Sequence, residues 1–416
     1  MHPFGAGTAG STRHRGPTLA RLLALLLAVL VSSPRPAAAE DKGPFSLPVD
    51  VHAFVSQGFF ITTESNYLAY SRRGTFEFTE VGINFTKSLT DDLRVGMQLF
   101  TRDLGPIGNY KPQFDWFYLD YRFRDWLGLR AGRTKLPFGL YNEDSDIDQA
   151  RVPILLPQSV YPTTSRDFLL AQTGLELYGY VPLGGAGALD YRLYGGTVFL
   201  DSTSLASPDV TVRKLDVPYL AGGRAMWVTP LDGLRAGGGL QTLRLDIDYT
   251  LSPAVLAYLQ QTNQVPATFG GSFKYKLPVV QWIGSIEYAA HDLLLAAEYS
   301  RWRVDYKTRP PIVPDGDVTS TRWYVMASYR MSPWFTPGVY YSMWNDGRAG
   351  TLTRDKYQQD LAFSLRYDIT NNWLVKLEEH YMRGTLGLTS ELNSGQSPKT
   401  LARNWGVFMI KTTAYF

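Results

Sequence analysis

The 416-residue chain contains no cysteine. A disulfide framework, a thiolate zinc site and a cysteine nucleophile are therefore excluded. Histidine is scarce as well, and only His52, His291 and His380 lie beyond the first 40 residues. In that larger part of the chain no apolar run approaches the roughly 18 residues that a transmembrane helix needs. That part of the chain therefore offers no transmembrane helix.

The N-terminal segment has the pattern of a secretory signal peptide. Basic residues precede an apolar core at 22–31, and small residues follow up to Ala39. We expect cleavage before Glu40, which makes residues 1–39 the signal peptide and residues 40–416 the mature domain. A membrane anchor is the alternative, but the apolar core is too short to span a bilayer.

The net charge of +3 belongs largely to this signal segment. Residues 40–416 contain 37 Lys and Arg against 38 Asp and Glu, so the mature domain has no basic excess. No nucleic-acid partner is predicted. The apolar fraction of 44% is that of an ordinary soluble protein. A membrane β-barrel also looks ordinary in bulk, because its apolar residues occupy alternate positions.

Alternation with a period of two recurs along the mature domain. In one segment Leu93, Val95 and Met97 alternate with Arg94 and Gly96. About sixteen such segments are found, each of roughly 9–13 residues, which is the length that crosses a membrane at a tilt. They are 51–62, 74–87, 93–101, 114–124, 127 to the residue before Pro137, 171–181, 189–200, 219–229, 234–247, 279–290, 293–306, 321–331, 335–345, 357–369, 373–382 and 403–416.

Short and long connections alternate strictly between these segments. This asymmetry is typical of outer-membrane barrels, whose short turns are periplasmic and whose long loops are extracellular. We therefore predict an all-β fold: a transmembrane antiparallel β-barrel of about 16 strands in the outer membrane of a Gram-negative-type bacterium. The alternative is a secreted soluble sandwich or propeller, which would have shorter strands and no strict alternation of connections.

The longest stretch without periodicity follows the fifth strand and reaches Leu170. A loop of this length is usually functional, and we predict that it folds into the barrel as a constriction loop. Residues 152–157 are expected to pack it against the wall. The charged residues assigned to this constriction are Arg133, Lys135, Glu143, Asp144, Asp146, Asp148, Arg151 and Arg166.

These loop charges allow two interpretations. In the first interpretation they form a mixed-charge eyelet, with acids facing bases across the pore. In the second, the acids tie the loop to a basic wall. A calcium site is a third hypothesis, because acids occupy alternate positions, but the EF-hand spacing is absent. No metal or cofactor is predicted.

Strand alternation also predicts which side chains line the pore, because one strand face meets lipid and the other meets water. Rings of Arg and Lys favour anions, and rings of Asp and Glu favour cations. The alternative is that these charges pair across strands and hold the wall in register. The predicted lining residues are Arg94, Arg122, Arg130, Arg192, Arg224, Arg322, Arg330, Arg366, Lys376, Lys411, Glu176 and Glu298, with Glu80, Asp120, Glu287, Asp360 and Glu378 as further inward acids.

The chain ends on Phe416, with Phe408 and Ile410 in the same alternation. This end resembles the terminal signal by which outer-membrane proteins are recognised by the barrel-insertion machinery. Tryptophans lie mostly near strand ends or in turns, which is typical of aromatic girdles at the two membrane interfaces.

The junction of the fifth strand and the long loop carries a more specific pattern. Residues 130–142 include Gly132, Arg133, Lys135, Pro137 and Gly139 in the order Gly-Arg-x-Lys-x-Pro-x-Gly. This segment is similar to one found in the phosphate-selective porin O/P family. The resemblance implies a homotrimeric outer-membrane channel, embedded in lipid, for small hydrophilic solutes or inorganic anions. A mature domain without net positive charge does not predict strong phosphate selectivity.

Passive diffusion through a porin is thus the leading hypothesis, with no enzymatic activity. One alternative is an outer-membrane enzyme, for which His380 is the histidine to test, although no Ser/His/Asp or metal-ligand spacing stands out. The other is a structural barrel or adhesin that does not conduct.

Overall fold

A computed structural model describes residues 49–200, 210–309, 315–346 and 353–416, and the signal segment 1–39 lies outside these ranges. The described chain forms a closed barrel of sixteen antiparallel strands, each paired with its neighbours in sequence, and the first pairs with the last. The predicted fold class is confirmed. The strands are β1 (Asp50–Thr62), β2 (Thr79–Ser88), β3 (Leu93–Asp103), β4 (Gln113–Arg124), β5 (Leu127–Lys135), β6 (Ala171–Pro182), β7 (Ala188–Thr197), β8 (Val210–Val228), β9 (Leu234–Leu251), β10 (Ser272–Ala290), β11 (Leu293–Arg309), β12 (Gly316–Tyr329), β13 (Phe335–Asn345), β14 (Tyr357–Thr370), β15 (Trp373–Gly384) and β16 (Asn404–Tyr415).

The two ends of the barrel differ, as the sequence predicts. At one end the connections are tight: residues 125–126 join β4 to β5, and residues 291–292 join β10 to β11. At the other end the connections are long, and the longest is the segment 136–170 between β5 and β6. We call this segment the inner loop.

Side chains alternate between the two faces of the wall. Leu119, Val325 and Phe363 are exposed on the outer surface, whereas Gln281 and Ser364 are buried on the inner surface. A soluble monomer rarely exposes contiguous apolar patches of more than a few hundred Å². A barrel whose outer face is apolar and whose inner face is polar suits a lipid bilayer, in which closure satisfies every strand edge.

Several boundaries differ from the predictions. β2 begins at Thr79 rather than at residue 74. β8 begins nine residues and β10 seven residues before the predicted starts at 219 and 279, and each strand continues through a proline, Pro218 or Pro278. Pro218 lies at an irregularity in the pairing of β8 with β9, where a missing N–H is accommodated.

Two α-helices occur in the described ranges, α1 (Arg166–Leu169) and α2 (Pro253–Gln261). The second lies in a segment predicted as loop, and it begins where the Ser252 hydroxyl accepts a hydrogen bond from the backbone N–H of Val255. Neither helix is long and apolar enough to cross a membrane.

Candidate functional site

The inner loop lies inside the barrel. Its residues contact side chains of β3, β4, β8, β10, β11, β12, β14, β15 and β16. A segment outside the wall could not reach strands all around the circumference. Ile154 and Leu155 are buried against Val407 and Met409 of β16, which confirms the prediction that residues 152–157 pack the loop against the wall.

Gly139, the last glycine of the sequence pattern at the start of the loop, is required by the local geometry. Its φ is +70°, a conformation that side-chain-bearing residues rarely adopt. A Cβ atom at this position would lie 2.5 Å from the Tyr161 hydroxyl oxygen. The backbone therefore passes close to Tyr161, whose hydroxyl accepts a hydrogen bond from the N–H of Leu140 at 2.9 Å.

Two fully buried wall carboxylates hold the loop by its backbone. Glu378 of β15 accepts hydrogen bonds from the N–H groups of Ile154 at 2.7 Å and Leu155 at 2.9 Å. Glu298 of β11 accepts from the N–H of Leu140 at 2.9 Å, and the hydroxyl of Tyr161 also donates to it. Neither carboxylate has a Lys or Arg within ion-pair distance in the described ranges, so each is stabilised by neutral donors, with His380 beside Glu378.

Asp148 of the loop is the centre of a buried charge cluster. Its carboxylate lies 2.6 Å from the Lys411 ammonium, 3.0 Å from the Arg151 guanidinium and 3.8 Å from the Lys376 ammonium. Lys411 also pairs with Glu80 at 2.6 Å. Burial alone would raise the pKa of Asp148, but these three bases lower it below its ordinary value. The loop is thereby tied to β15 and β16.

Asp146 forms the corresponding attachment on the opposite wall. It pairs with Lys135 at 2.5 Å and lies 3.7 Å from Arg166, which itself pairs with Asp115 of β4 at 2.8 Å. Gln98 donates to both carboxylates. Burial opposes ionisation of Asp146, yet Lys135 and Arg166 together lower its pKa below the ordinary value.

A continuous line of ion pairs follows the inner wall from β3 to β8. Arg94 and Arg130 pair with Asp120, Arg130 and Arg192 pair with Glu176, and all of these separations are 2.9–3.2 Å. Glu143 of the loop extends the line to Arg192 at 3.5 Å and to Arg224 at 3.2 Å. These charges pair across strands, so the wall presents little net charge here.

Two predicted lining bases are placed differently. Arg322 is buried between the rings of Trp302 and Trp344, at 3.6 and 4.4 Å, and donates to the carbonyl of Ser159 in the loop. Arg366 donates to the carbonyl of Gln149 at 2.6 Å. Both hold the loop by its backbone.

The remaining predicted residues lie near the rims or away from the loop interior. Arg330 is exposed at the tight-turn end and lies 3.8 Å from Asp292. Arg122 is exposed at the same end. Arg133 belongs to β5 and is paired with Phe117 of the outer face, and its guanidinium donates to the Asp115 carbonyl.

Asp144 stands apart from the other loop acids. It is exposed, and no Lys or Arg of the described ranges lies within ion-pair distance of it. The surrounding protein nevertheless excludes part of the water around its carboxyl, and this desolvation together with the neighbouring Glu143 raises its pKa. The described residues hold no group of three or more His, Cys, Asp or Glu arranged for a metal ion.

Several contact residues were missed by the sequence analysis. Asp115 and Gln98 flank an irregularity in the β3–β4 pairing that interrupts simple alternation. Tyr161 lies in the part of the chain without periodicity. Only the polar character of Gln98, which shares the alternation of Arg94 and Gly96, could have indicated its role.

Three cavities surround the inner loop. One of about 630 Å³ opens toward the tight-turn end, one of about 230 Å³ adjoins it beside Asp144, and one of about 60 Å³ lies toward the long-loop end. Arg151 and Leu156 line all three. Arg151 and Leu156 therefore separate a wide cavity on the tight-turn side from a small one on the long-loop side.

His380 is not accessible to a substrate. Its ring is buried, with Nδ1 2.9 Å from Asp360 and Nε2 3.0 Å from Glu378. The hydroxyl of Ser364 donates to the same Glu378 at 2.6 Å. These groups satisfy one another beneath the loop and open into none of the three cavities around it.

No protein-family model matches the chain, and no curated protein matches its sequence. Solved structures share its fold. An outer-membrane-expressed OmpT of Vibrio cholerae covers 88% of this chain and 97% of its own, with a TM-score of 0.57 and 11% identity. The in-vitro folded trimer form of OmpT from Vibrio cholerae has a TM-score of 0.54 at 12% identity and covers 89% of this chain and 99% of its own. An anion-selective porin from Comamonas acidovorans has a TM-score of 0.52 at 12% identity and covers 89% of this chain and 99% of its own. The fold is thus that of outer-membrane barrels.

Proposed function

We propose that this protein is an outer-membrane porin that lets small hydrophilic solutes or ions diffuse passively. The observation that carries the proposal is the inner loop, which lies inside the lumen and has cavities on both sides, with Arg151 and Leu156 lining both of them. The apolar outer face of the barrel suits the outer membrane. The buried state of His380 argues for a channel rather than an enzyme.

The width of the lumen limits the solutes. A water molecule takes up about 30 Å³ in the liquid, so the gap of about 60 Å³ suits ions and very small solutes. Larger organic solutes would need the loop to move, and its anchors at Glu298, Glu378 and Asp148 oppose such movement. A non-conducting structural barrel is the alternative that conductance would reveal.

We further propose a weak anion preference. The narrow gap is lined by Arg102, Arg151, Arg166 and Lys411, against the two acids Glu80 and Asp146. Bases at a constriction favour anions. Since most of them are ion-paired, the preference should be modest. Phosphate selectivity rests on the sequence resemblance alone.

The test is the zero-current potential of the refolded protein in a planar bilayer under a KCl gradient. Measurable conductance with an anion-selective potential supports the proposal, and block of the chloride current by added phosphate would extend it to phosphate. An insulating bilayer with a correctly folded barrel would contradict the channel, whereas a cation-selective potential would contradict only the anion preference.

We also propose that three copies associate, as the resemblance implies and as in the trimer form of the Vibrio cholerae protein. Light scattering of the detergent-solubilised protein, with the detergent mass subtracted, measures the number of chains directly. A monomer at micromolar concentration would contradict the proposal.

A further inference from the structure

Four neighbouring strands extend beyond the apolar band of the barrel. β8 to β11 have 17–19 residues, whereas β2 to β5 have 9–12. The additional residues lie at the long-loop end. Along them the polarity of the wall is inverted, because Leu245 and Ile247 are buried on the inner face while Lys274 and Arg303 are exposed on the outer face.

This inversion places the extended part outside the hydrocarbon of a membrane. An outer face in hydrocarbon is apolar, as it is nearer the tight-turn end, where Ile286 and Leu295 are exposed. The outer face changes from apolar to charged at a row of aromatic rings. Trp282 and Tyr299 lie with their ring centroids 5.3 Å apart on this outer surface. Such rings mark the membrane–water interface.

Basic residues dominate the outer face of β10 and β11 from this row outward. Arg301 pairs in register with Trp282, and Arg303 lies one row further out. Beyond them Lys276 is directly opposite Lys307, and Lys274 is directly opposite Arg309. We call these residues the basic strip: Lys274, Lys276, Arg301, Arg303, Lys307 and Arg309.

Two consecutive like-charged pairs are unfavourable on a sheet, because like charges directly opposite each other destabilise it. Nearby acids relieve this only in part. Asp305 pairs with Arg303 at 2.9 Å, Asp315 pairs with Arg309 at 3.3 Å and Asp248 lies 3.6 Å from Lys274.

Three members of the strip have no such counter-charge. In the described ranges, no carboxylate lies within ion-pair distance of Lys276, Lys307 or Arg301, and all three side chains are exposed. Asp246, which pairs in register with Lys276, is 2.8 Å from Arg244 instead. The strip therefore has three exposed cations without a counter-charge in the described ranges, and these are available to an external anion.

We propose that the basic strip binds the phosphate groups of lipopolysaccharide in the outer leaflet. This inference rests on the outer-membrane location in the proposed function. Clusters of Lys and Arg beside a membrane recognise anionic lipid head groups. Arg301 and Arg303 lie at the level of the aromatic row, where lipid head groups begin.

The depth of the strip distinguishes this glycolipid from a phospholipid. Lys276 and Lys307 lie six residues beyond the Trp282–Arg301 row, which is about 20 Å along the strands. A phospholipid offers phosphate at one depth only. Lipopolysaccharide carries phosphate on its lipid anchor and again on its core sugars, so it can engage both levels of the strip at once.

The test measures the apparent Kd of the detergent-folded protein for purified phosphorylated lipopolysaccharide. We expect K276A/K307A to weaken binding by about fivefold for each lysine, and K276R/K307R to bind like the unaltered protein. The matched control is K87A/R124A, which removes two bases near the opposite end of the barrel and should leave the Kd unchanged. Heat-dependent electrophoretic mobility establishes that each variant is folded.

Several outcomes would overturn the proposal. These are no binding by the unaltered protein, an unchanged Kd in K276A/K307A, an equal loss in the control, equally tight binding of phosphatidylglycerol vesicles, or displacement of the glycolipid by an equal concentration of inorganic phosphate. The last outcome would indicate a free-anion site. Bilayer conductance of the same preparation separates a failure of this proposal from a failure of the porin function.

Discussion

Glu298 shows how a single wall residue determines the shape of the lumen. It is 3% exposed and accepts hydrogen bonds from the Leu140 N–H and from the hydroxyls of Tyr161, Tyr324 and Ser285. Removing one partner from a buried hydrogen-bond network leaves the others unsatisfied, which costs more than the bond itself contributes. This carboxylate is therefore one of the main attachments of the start of the inner loop.

We expect E298A to lower the free energy of unfolding by about 1–3 kcal/mol for the unsatisfied donors and to raise the single-channel conductance, because the loop loses its attachment at Leu140. Urea unfolding in micelles and bilayer recordings measure the two effects. E298Q keeps two hydrogen-bonding atoms, so its unfolding free energy and its conductance should lie between those of E298A and the unaltered protein. An E298A channel with unaltered conductance would show that the loop is held elsewhere.

Asp148 predicts how the channel responds to acid. Its pKa is lowered in the folded protein by Lys411, Lys376 and Arg151 against the opposing effect of burial. A carboxyl with a lowered pKa contributes stability that is present above its unfolded pKa of about 3.9 and is lost as the pH falls through the lower folded value. Its attachment to the wall should therefore persist from neutral pH to about pH 4.

In bilayer recordings, the conductance should consequently change little between pH 7 and pH 4 and become larger or noisier only in stronger acid. D148N leaves three buried bases without their acid, which costs about 3–5 kcal/mol when one partner of a buried pair is removed. D148N should therefore show a larger or noisier conductance already at pH 7. Loosening of the unaltered channel near pH 6 would contradict the assignment to Asp148.

These residues also show what alternation can predict. The period of two correctly indicated that Glu298, Lys376 and Lys411 lie on the opposite face from the exposed apolar residues. It could not indicate that they would be covered, with exposures of 3%, 0% and 1%. Their cover is the inner loop, which has no periodicity, and its path is determined by contacts with distant strands.

At the scale of elements, the inner loop is a packed structure and not merely a tethered chain. Leu140, Leu156, Val160 and Tyr161 form a buried cluster with wall residues. The sequence predicted the apolar stretch 152–157, since six nearly continuous apolar or proline residues in a polar lumen need a surface to pack on. The partners on β16 could not be predicted, because they follow from closure of the barrel.

We expect I154A/L155A to weaken the packing of residues 152–157 against β16. Each substitution removes buried methyl groups and leaves space among Val407, Met409 and their neighbours, at about 2–5 kcal/mol per side chain. The loop should become more mobile, so the current should fluctuate more and reach higher levels. F363A, on the exposed outer face, is the matched control and should leave the current unchanged. Equal behaviour of the two variants would contradict a packing role.

At the scale of the whole molecule, the barrel is completed only when its two ends meet. Phe416 and Ala53 exchange backbone hydrogen bonds of 3.0 and 3.1 Å beside the β1–β16 pairing. The sequence could predict this closure, because sixteen strands in a membrane leave no edge unpaired. It did not predict the full length of β8 to β11, because Pro218 and Pro278 interrupt the alternation within β8 and β10.

The side chain of Phe416 is 52% exposed, so it contributes little to the packing of the finished barrel. If it serves as the signal for the insertion machinery, F416A should lower the amount of protein in the outer membrane of cells while the purified protein refolds in detergent as well as the unaltered chain. Immunoblots of outer-membrane fractions and heat-dependent mobility measure the two quantities. F363A, which alters an exposed phenylalanine of β14 outside the C-terminal segment, is the control. Equal losses in cells and in refolding would assign Phe416 a role in the fold instead.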